Sequence, residues 1–405
     1  MRNLFIIVAY LALAITSCSS GGTGNSPSNN NGGGSSGLKL DTIVNKTGMS
    51  NDAEPLVKKI YAGWNLGNSL ESTGGETAWG NPATTQAMID MVKNAGFNAV
   101  RIPCAWSSHL SDASTYTIDP AWLIRVKQVV DYVVNDGMYA IINIHWDQGW
   151  LENNVTTAKQ SSANAEQKAL WTQIATYFRG YDEHLMFAGC NEPSVSDATG
   201  MNVLLTYEQT FINAVRATGG RNYYRNLIVQ GPSADIDKTN TLMTTMPTDV
   251  VSNRMIAEVH YYTPWQFCGL TADASWGNMF YFWGDYANQP NVDGVNRNAT
   301  WGNEDYMLTE FAKVKSQFVD KGIPVIAGEF GAIRRTMETT AEQTAHDNSV
   351  AEFVEDVTKD AKNAGIAPFL WDNGSFLFDR TNLTTRYPLF LQSIMAGAKA
   401  GSYPF

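Results

Sequence analysis

Eight short apolar segments recur along the chain, and they constrain its fold more than any other feature. They span residues 61–69, 97–103, 138–146, 185–193, 226–232, 255–264, 323–331 and 367–374. Most are followed by a stretch with helical periodicity, such as Ala121 to Val134 and Tyr306 to Lys321. Near-continuous apolar strands that alternate with helices are typical of a parallel sheet covered on both faces.

Eight such units predict an α/β fold of the closed (β/α)8 TIM-barrel type. An open doubly wound sheet is the alternative, but no Gly-x-Gly-x-x-Gly motif follows the first segment. A chain of 405 residues fits one barrel, and its 44% of hydrophobic residues can fill a large core. In such barrels the active site lies at the C-terminal ends of the strands.

The N-terminal residues predict export from the cytoplasm. Residues 1–17 contain Arg2 and an apolar run that is too short for a bilayer span but typical of a signal peptide. The run ends in the sequence ITSC, which resembles the lipobox of bacterial lipoproteins, whose cysteine is lipidated and becomes the new N-terminus. The resemblance implies lipidation of Cys18 and attachment to the outer membrane or cell surface. An ordinary secretory signal with an incidental cysteine is the alternative.

A polar, glycine-rich segment follows Cys18. Residues 19–37 contain only Gly, Ser, Asn, Thr and one Pro, a composition that cannot bury a core. We therefore interpret residues 18–38 as the lipidated cysteine and a flexible linker, and residues 39–405 as a single catalytic domain. A flexible chain of about 20 residues has an r.m.s. reach of roughly 25 Å, enough to hold a domain clear of a membrane surface.

The charge and the cysteines narrow the class of ligand. The net charge is −11 and no block of Lys or Arg occurs, which argues against nucleic acid and favours a neutral substrate. Cys104, Cys190 and Cys268 show neither CxxC spacing nor a Cys/His cluster, so we expect buried thiols and no zinc site. We expect no metal and no cofactor, and a monomeric protein.

Polar and aromatic residues lie at the C-terminal ends of the predicted strands. They are Arg101, His145, Asn191, Glu192, His260, Tyr262, Glu329 and Trp371. Because these ends face one basin in a barrel, we expect the side chains to converge. Two glutamates across a cleft suit cleavage of a glycosidic bond, in which one protonates the departing oxygen and the other acts on the cationic sugar.

The ordered set resembles glycoside hydrolase family 5. The matching motifs are Arg101 in VRIP, His145 in IINIHW, Asn191-Glu192-Pro193, His260-Tyr261-Tyr262, Glu329 in GEFG and Trp371 in FLWDNG. The segments GWNLGNSLE, which contains Asn68, and HYYTPWQFCG further resemble the endo-β-1,4-glucanase branch of the family. The resemblance covers the barrel from about residue 61 to residue 374.

The resemblance implies a retaining mechanism with Glu329 as the nucleophile and Glu192 as the general acid and then base. Arg101 and Tyr262 would lower the pKa of Glu329, whereas Glu192 would need a raised pKa. Asn191 would bind the sugar 2-hydroxyl group. His145 and His260 would donate to substrate hydroxyls or to the carboxylates, with a merely structural histidine as the alternative for His145.

Aromatic residues near the strand ends are candidates for stacking on sugar rings. Trp371 would form the floor of the subsite at the reacting sugar. The connection after the sixth strand, residues 263–300, is the longest, and Trp265 is its leading candidate. We expect the aromatic residues of this connection to be divided between its own core and the cleft. Four more tryptophans could serve further subsites or the core: Trp64, Trp79, Trp146 and Trp150.

Several functions stay open at this point. Within the family, the partner is a β-linked polysaccharide: a plain β-1,4-glucan, a mixed-linkage glucan or a xyloglucan, with mannan as the alternative. A metal-dependent barrel hydrolase is a further alternative, although the first strand offers no HxH pair. A non-catalytic glycan-binding lipoprotein is another, but such a protein would have no use for two facing glutamates with an arginine behind one.

Overall fold

The eight apolar segments form the eight strands of a closed parallel barrel in the computed structural model, which describes residues 43–405. The strands are β1 (Gly63–Leu66), β2 (Ala99–Ile102), β3 (Tyr139–Asn143), β4 (Leu185–Ala188), β5 (Leu227–Gln230), β6 (Met255–Tyr261), β7 (Val325–Phe330) and β8 (Ile366–Asp372). The predicted barrel is confirmed. The predicted signal peptide, the lipidated Cys18 and the linker lie outside the described residues.

Each strand pairs in parallel with its sequence neighbours, and β8 closes the ring against β1. The register sets the polar strand ends at the same height. Asn65 on β1 is paired with Arg101 on β2, and His260 on β6 is paired with Glu329 on β7. Side chains from these strands therefore enter the barrel mouth in one layer.

Among residues 43–405, eight helices surround the barrel. They are α1 (Gln86–Asn94), α2 (Pro120–Asn135), α3 (Gln160–Tyr177), α4 (Ala198–Ala217), α5 (Ile236–Leu242), α6 (Glu304–Gln317), α7 (Thr340–Asn363) and α8 (Pro388–Ala400). The predicted helix from Ala121 to Val134 lies within α2. The one predicted from Tyr306 to Lys321 comprises most of α6 and a 3-10 turn at Val319–Lys321. None of the described helices combines the length and the hydrophobicity that a membrane span requires.

Local sequence explains where these helices begin. The Asp119 side chain accepts a hydrogen bond from Ala121 N, and Pro120 takes the first helical position of α2. Thr339 and Glu342 form a reciprocal capping box at the start of α7. Smaller elements are the helices Ala53–Val57 and Trp265–Cys268 and two hairpins, Leu110–Asp112 with Thr117–Ile118 and Phe378–Asp379 with Thr384–Thr385.

The core has two layers because side chains alternate across each strand. On β3, Ile141 packs inside the barrel, whereas Ala140 and Ile142 pack against the helices. On β2, Ala99 faces inward, so Arg101, two residues further along, also faces inward but nearer the C-terminal end. The barrel interior is thus apolar at its base and polar at the C-terminal ends of the strands, and the candidate functional site lies at this polar end.

The connection between β6 and β7 contains both kinds of aromatic residue that the sequence predicted. Four rings are buried and form a small core with α7 and the barrel: Phe267, Phe280, Phe282 and Trp283. Trp265 and Trp276 are exposed. Cys104, Cys190 and Cys268 are free and buried, as predicted.

Candidate active site

Arg101 lies at the centre of the polar layer and is completely buried. Its Nη1 atom donates to Glu329 Oε1 at 2.9 Å and to Asn65 Oδ1 at 3.0 Å, and its Nη2 atom donates to Asn191 Oδ1 at 2.6 Å. Its Nε atom lies 3.0 Å from Glu258 Oε1. One guanidinium group therefore contacts residues on or directly after β1, β4, β6 and β7.

Glu329, near the end of β7, has the donors that the sequence predicted. Its two oxygens accept from Arg101 Nη1 and from the Tyr262 hydroxyl group, each at 2.9 Å. Both donors act to lower its pKa, as predicted, but they do not set the net direction. Burial raises the pKa of Glu329, and the positive charges of His260 and Arg101 oppose this without offsetting it. The neighbouring Glu192 carboxylate adds to the increase.

Glu192 follows β4 and differs from Glu329 in both exposure and partners. Its side chain is 44% exposed, against 7% for Glu329, and its Oε1 atom lies 2.8 Å from His260 Nδ1. Carboxylate oxygens of Glu192 and Glu329 lie within 4.8 Å of each other. Burial acts to raise the pKa of Glu192, but the hydrogen bond and charge of His260 lower it overall. The prediction that the pKa of Glu192 is raised is therefore wrong.

His260 explains the lowered pKa of Glu192, and it lies between three carboxylates. Its Nδ1 atom faces Glu192, its Nε2 atom lies 3.3 Å from Glu258 Oε1, and Glu329 Oε2 lies 3.8 Å from Nδ1. Burial opposes protonation, but these carboxylates raise the pKa of His260 to about 10. Because the carboxylates of Glu192 and Glu329 lie so close together, the charge of Glu192 adds to the increase in the pKa of Glu329.

The remaining predicted polar residues line the same basin. Asn191 is held by Arg101, and His145 Nδ1 lies 3.2 Å from Asn143 Nδ2. Burial holds the pKa of His145 well below its usual value, so the ring is neutral at pH 7. The His145 ring stacks on Trp371 with a centroid distance of 5.7 Å and an interplanar angle of 11°.

Three cavities open around the candidate catalytic pair. One of about 380 Å³ has Glu192, His260, Tyr262, Trp265, Trp301 and Tyr306 in its wall. A second of about 310 Å³ has Tyr262, Arg334, Trp371 and Tyr387 in its wall. A third of about 290 Å³ has Asn68, Trp79, His145, Trp146, Asn191, Glu192 and Trp371 in its wall. Adjacent cavities share Glu192, Tyr262 or Trp371, so they form one cleft.

The predicted aromatic residues divide between this cleft and the core. Trp265 is 48% exposed and Trp146 is 43% exposed, and both line the cleft, as does Trp79. Trp64 is fully buried and its Nε1 atom donates to Asp372 Oδ2 at 3.2 Å, and Trp150 packs against the core. Trp64 is therefore not a subsite residue, because its ring is fully buried. Trp150 is partly buried and does not line the three cavities.

The sequence interpretation missed Glu258, which binds both Arg101 and His260. The residue is the one acid in an otherwise apolar strand, MIAEVHY, and it precedes His260 by two positions. A strand period of two puts both side chains on one face, so this spacing was a usable signal. Gly328 on the next strand makes room, because a Cβ atom there would lie 1.8 Å from Glu258 Oε1.

Comparisons with known proteins agree with this geometry. The sequence model of the family Cellulase (glycosyl hydrolase family 5) matches residues 65–376. A xyloglucan-specific endo-β-1,4-glucanase of Bacteroides ovatus is 36% identical over 372 residues, which cover 87% of this chain and 72% of that protein. Endoglucanase A of Paenibacillus barcinonensis is 35% identical, with 85% of this chain and 90% of that protein covered.

Solved structures give the same result. The crystal structure of a xyloglucan-specific β-1,4-glucanase of family 5, from a ruminal metagenomic library, superimposes with a TM-score of 0.80 at 42% identity. The match covers 88% of this chain and 98% of the other. The barrel, the ordered strand-end residues and these matches lead to one assignment. The chain belongs to glycosyl hydrolase family 5.

Proposed function

We propose that the protein is a retaining endo-β-1,4-glucanase in which Glu329 is the nucleophile and Glu192 the general acid and base. The observation that carries this proposal is the separation of the two carboxylates, whose oxygens lie within 4.8 Å of each other. Retaining enzymes keep their carboxyl groups about 5–5.5 Å apart, whereas inverting enzymes need roughly 6.5–9.5 Å to admit a water molecule.

The environments of the two glutamates support this division of roles. Glu329 is buried and held by Arg101 and Tyr262, so it can be aimed at an anomeric carbon. Glu192 is half-exposed and faces the largest aromatic-lined part of the cleft, where a leaving group can accept its proton. In the first step Glu329 bonds to the anomeric carbon while the bond to the glycosidic oxygen breaks and Glu192 protonates that oxygen. In the second step Glu192 removes a proton from water, which displaces Glu329.

The proton for the first step lies in the hydrogen bond between His260 and Glu192. Before substrate binds, the proton resides on Nδ1 of the imidazolium, and the 2.8 Å distance allows it to pass to Glu192 Oε1. A substrate that covers Glu192 excludes water and favours the neutral carboxylic acid. When the glycosyl-enzyme forms, the charge of Glu329 disappears, which lowers the pKa of Glu192 and suits its second role as a base.

Among β-1,4-linked backbones, we propose xyloglucan as the preferred substrate. Two of the relatives described above are xyloglucan-specific. The cavity beside Trp371 has a volume of about 310 Å³, which offers room for a sugar branch next to the proposed reacting subsite. Trp146 and Trp265 are exposed on either side of the catalytic pair and can stack on the backbone sugars.

Two experiments test the mechanism. On activated aryl glycosides, Glu192→Ala should accumulate the intermediate and recover turnover with azide, which gives the β-glycosyl azide. Glu329→Ala should give the α-azide or no product. Equal losses in both variants without azide rescue would contradict the assigned roles, and loss of wild-type activity upon chelation would favour a metal-dependent hydrolase.

A third experiment tests the substrate. Products from plain β-1,4-glucan, mixed-linkage glucan, xyloglucan and mannan should be compared at equal enzyme concentration. Xyloglucan should be cleaved fastest and should give a mixture of long fragments early in the reaction, as expected for internal cleavage. Preferred cleavage of mannan would contradict the glucan assignment and leave only the family.

The proposed location is the cell envelope, with the domain attached through lipid on Cys18 and acting as a monomer. The support is the apolar N-terminal run, the ITSC sequence and the polar linker. Cys18→Ala should release the protein from membranes without changing the catalytic constants of the domain. Retention in the membrane fraction would contradict the anchor.

A further inference from the structure

A second glutamate is buried behind the strand end that carries Glu192. Glu208 lies on α4, is 1% exposed, and directs its carboxyl group into the barrel wall between β4 and β5. Gly189 makes this approach possible, because a Cβ atom there would lie 2.3 Å from Glu208 Oε2. The proposed mechanism assigns no role to this acid.

Two hydrogen bonds connect Glu208 to the backbone of Glu192. Glu208 Oε1 accepts from the main-chain N–H of Gln230, the last residue of β5, at 2.8 Å. The side-chain oxygen of Gln230 in turn accepts from the main-chain N–H of Glu192 at 2.7 Å. The helix layer is therefore linked to the backbone of the proposed general acid through a single intervening residue.

The backbone at Glu192 needs such support. Its φ angle is 47°, in the left-handed region, which is strained for a non-glycine residue and persists only where surrounding contacts impose it. The preceding turn is fixed from α3, where Gln167 and Trp171 both donate to the carbonyl oxygen of Gly189. The link through Gln230 reaches the amide of residue 192 itself.

Glu208 can support the backbone of Glu192 without adding a negative charge near the carboxylates of the candidate active site. Burial raises the pKa of Glu208 to about 8, against the lowering effect of the hydrogen bonds from Gln230 and Cys190. The acid is therefore mostly neutral at pH 7, and Oε2 has no hydrogen-bond partner among residues 43–405, so it can carry the proton. A neutral acid accepts from Gln230 without adding a fourth carboxylate charge near Glu192, Glu258 and Glu329.

We propose that Glu208 is a positioning residue for the general-acid step, acting through Gln230 to hold the backbone of Glu192 in its left-handed conformation. The inference rests on the proposed role of Glu192 as the acid. It predicts that loss of the Glu208 carboxyl group impairs protonation of the leaving group and leaves the attack by Glu329 intact.

Aryl β-cellobiosides with dinitrophenyl, nitrophenyl and phenyl leaving groups separate these two effects. General-acid catalysis contributes 10²–10⁴-fold, so Glu208→Met should lose roughly tenfold more kcat/KM on the phenyl than on the dinitrophenyl substrate. Glu208→Gln, which keeps an acceptor oxygen, should retain the wild-type ratio. Gln230→Met should show the same selective loss, and the double variant should lose no more than the worse single variant, since both act in one chain.

Val215→Ala is the matched control, because Val215 is another fully buried residue of α4, seven positions further from the cleft end. It should lower the Tm and leave the phenyl-to-dinitrophenyl ratio unchanged. Equal losses by Glu208→Met on all three substrates, or a loss in Glu208→Gln as selective as in Glu208→Met, would overturn the inference. Glu208→Leu carries the same expectation if Glu208→Met does not fold. Wild-type inactivity on these three substrates and on all four polysaccharides named above would instead overturn the proposed function.

Discussion

Replacing Glu208 by glutamine should make the protein more stable than the wild type at alkaline pH, and the gain should increase with pH. Burial raises the pKa of Glu208 from 4.5 to about 8, so between these values the unfolded chain is ionised while the folded protein keeps its proton. Stability falls with pH wherever the folded state binds more protons than the unfolded state. Glutamine has a similar shape and no proton to lose, so this contribution disappears in the variant.

The size of the effect follows from the same two values. One pKa unit corresponds to about 1.4 kcal/mol, so the cost of Glu208 reaches about 4 kcal/mol at pH 8 and is below about 1 kcal/mol at pH 5. The costs at pH 8 and pH 5 differ by about 3.5 kcal/mol. With an unfolding entropy of about 2.1 cal/mol/K per residue and a domain of about 360 residues, this difference corresponds to a Tm change of roughly 4–5 °C. The Tm difference between Glu208→Gln and wild type should therefore grow by this amount from pH 5 to pH 8.

Thermal unfolding followed by circular dichroism at both pH values tests this prediction. Because the wild type and the variant share every other titrating group, their difference isolates Glu208, whose charged or titratable neighbours are Cys190 and Glu258. Glu338→Gln, at an exposed position, is the control and should show the same small difference at both pH values. A difference for Glu208→Gln that stays constant or shrinks with pH would refute the reasoning, because it would mean that the acid is ionised in the fold.

Three further outcomes are expected. Trp265→Ala should weaken binding of long oligosaccharides by about 1–3 kcal/mol more than binding of disaccharide aryl glycosides, measured as the ratio of kcat/KM on long substrates to kcat/KM on short ones. Trp276→Ala, the control, should leave this ratio unchanged. Tyr262→Phe should lower kcat/KM by about 1 kcal/mol, about equally for good and poor leaving groups, because it removes a hydrogen bond to Glu329 and does not affect Glu192. A loss confined to poor leaving groups would contradict this expectation. Arg101→Met should lower the free energy of unfolding in urea by about 3–5 kcal/mol, since it leaves the buried carboxylates of Glu258 and Glu329 without their ion-pair partner. An unchanged unfolding midpoint would argue against these ion pairs.

The strands and the candidate site residues could be predicted from the sequence because both leave a signal in a short run of neighbouring residues. A parallel barrel strand is buried on both faces, so its sequence is a short apolar run, and a polar residue at its end stands out. Arg101, His145, Glu192 and Glu329 are all of this kind, and the fold brings them together as predicted. Glu258 was missed because it lies inside a strand rather than at its end.

The aromatic residues were harder to assign. Trp64 and Trp146 both lie near strand ends, yet one ring is fully buried and the other is 43% exposed. A tryptophan contributes the same large apolar surface to a core or to a sugar-binding cleft, so its type does not reveal its partner. The packing of the neighbouring loops decides which face remains open.

The sequence by itself determined the architecture and the two candidate catalytic carboxylates, because strand periodicity and strand ends are properties of nearby residues. Only the tertiary structure decided how those carboxylates are charged. His260 lies between Glu192 and Glu258 and lowers the pKa of Glu192, which was predicted to be raised. Arg101 and Tyr262 act to lower the pKa of Glu329 as predicted, but burial outweighs them. A pKa depends on distances and burial among residues far apart in the chain, and these are fixed only when the barrel closes.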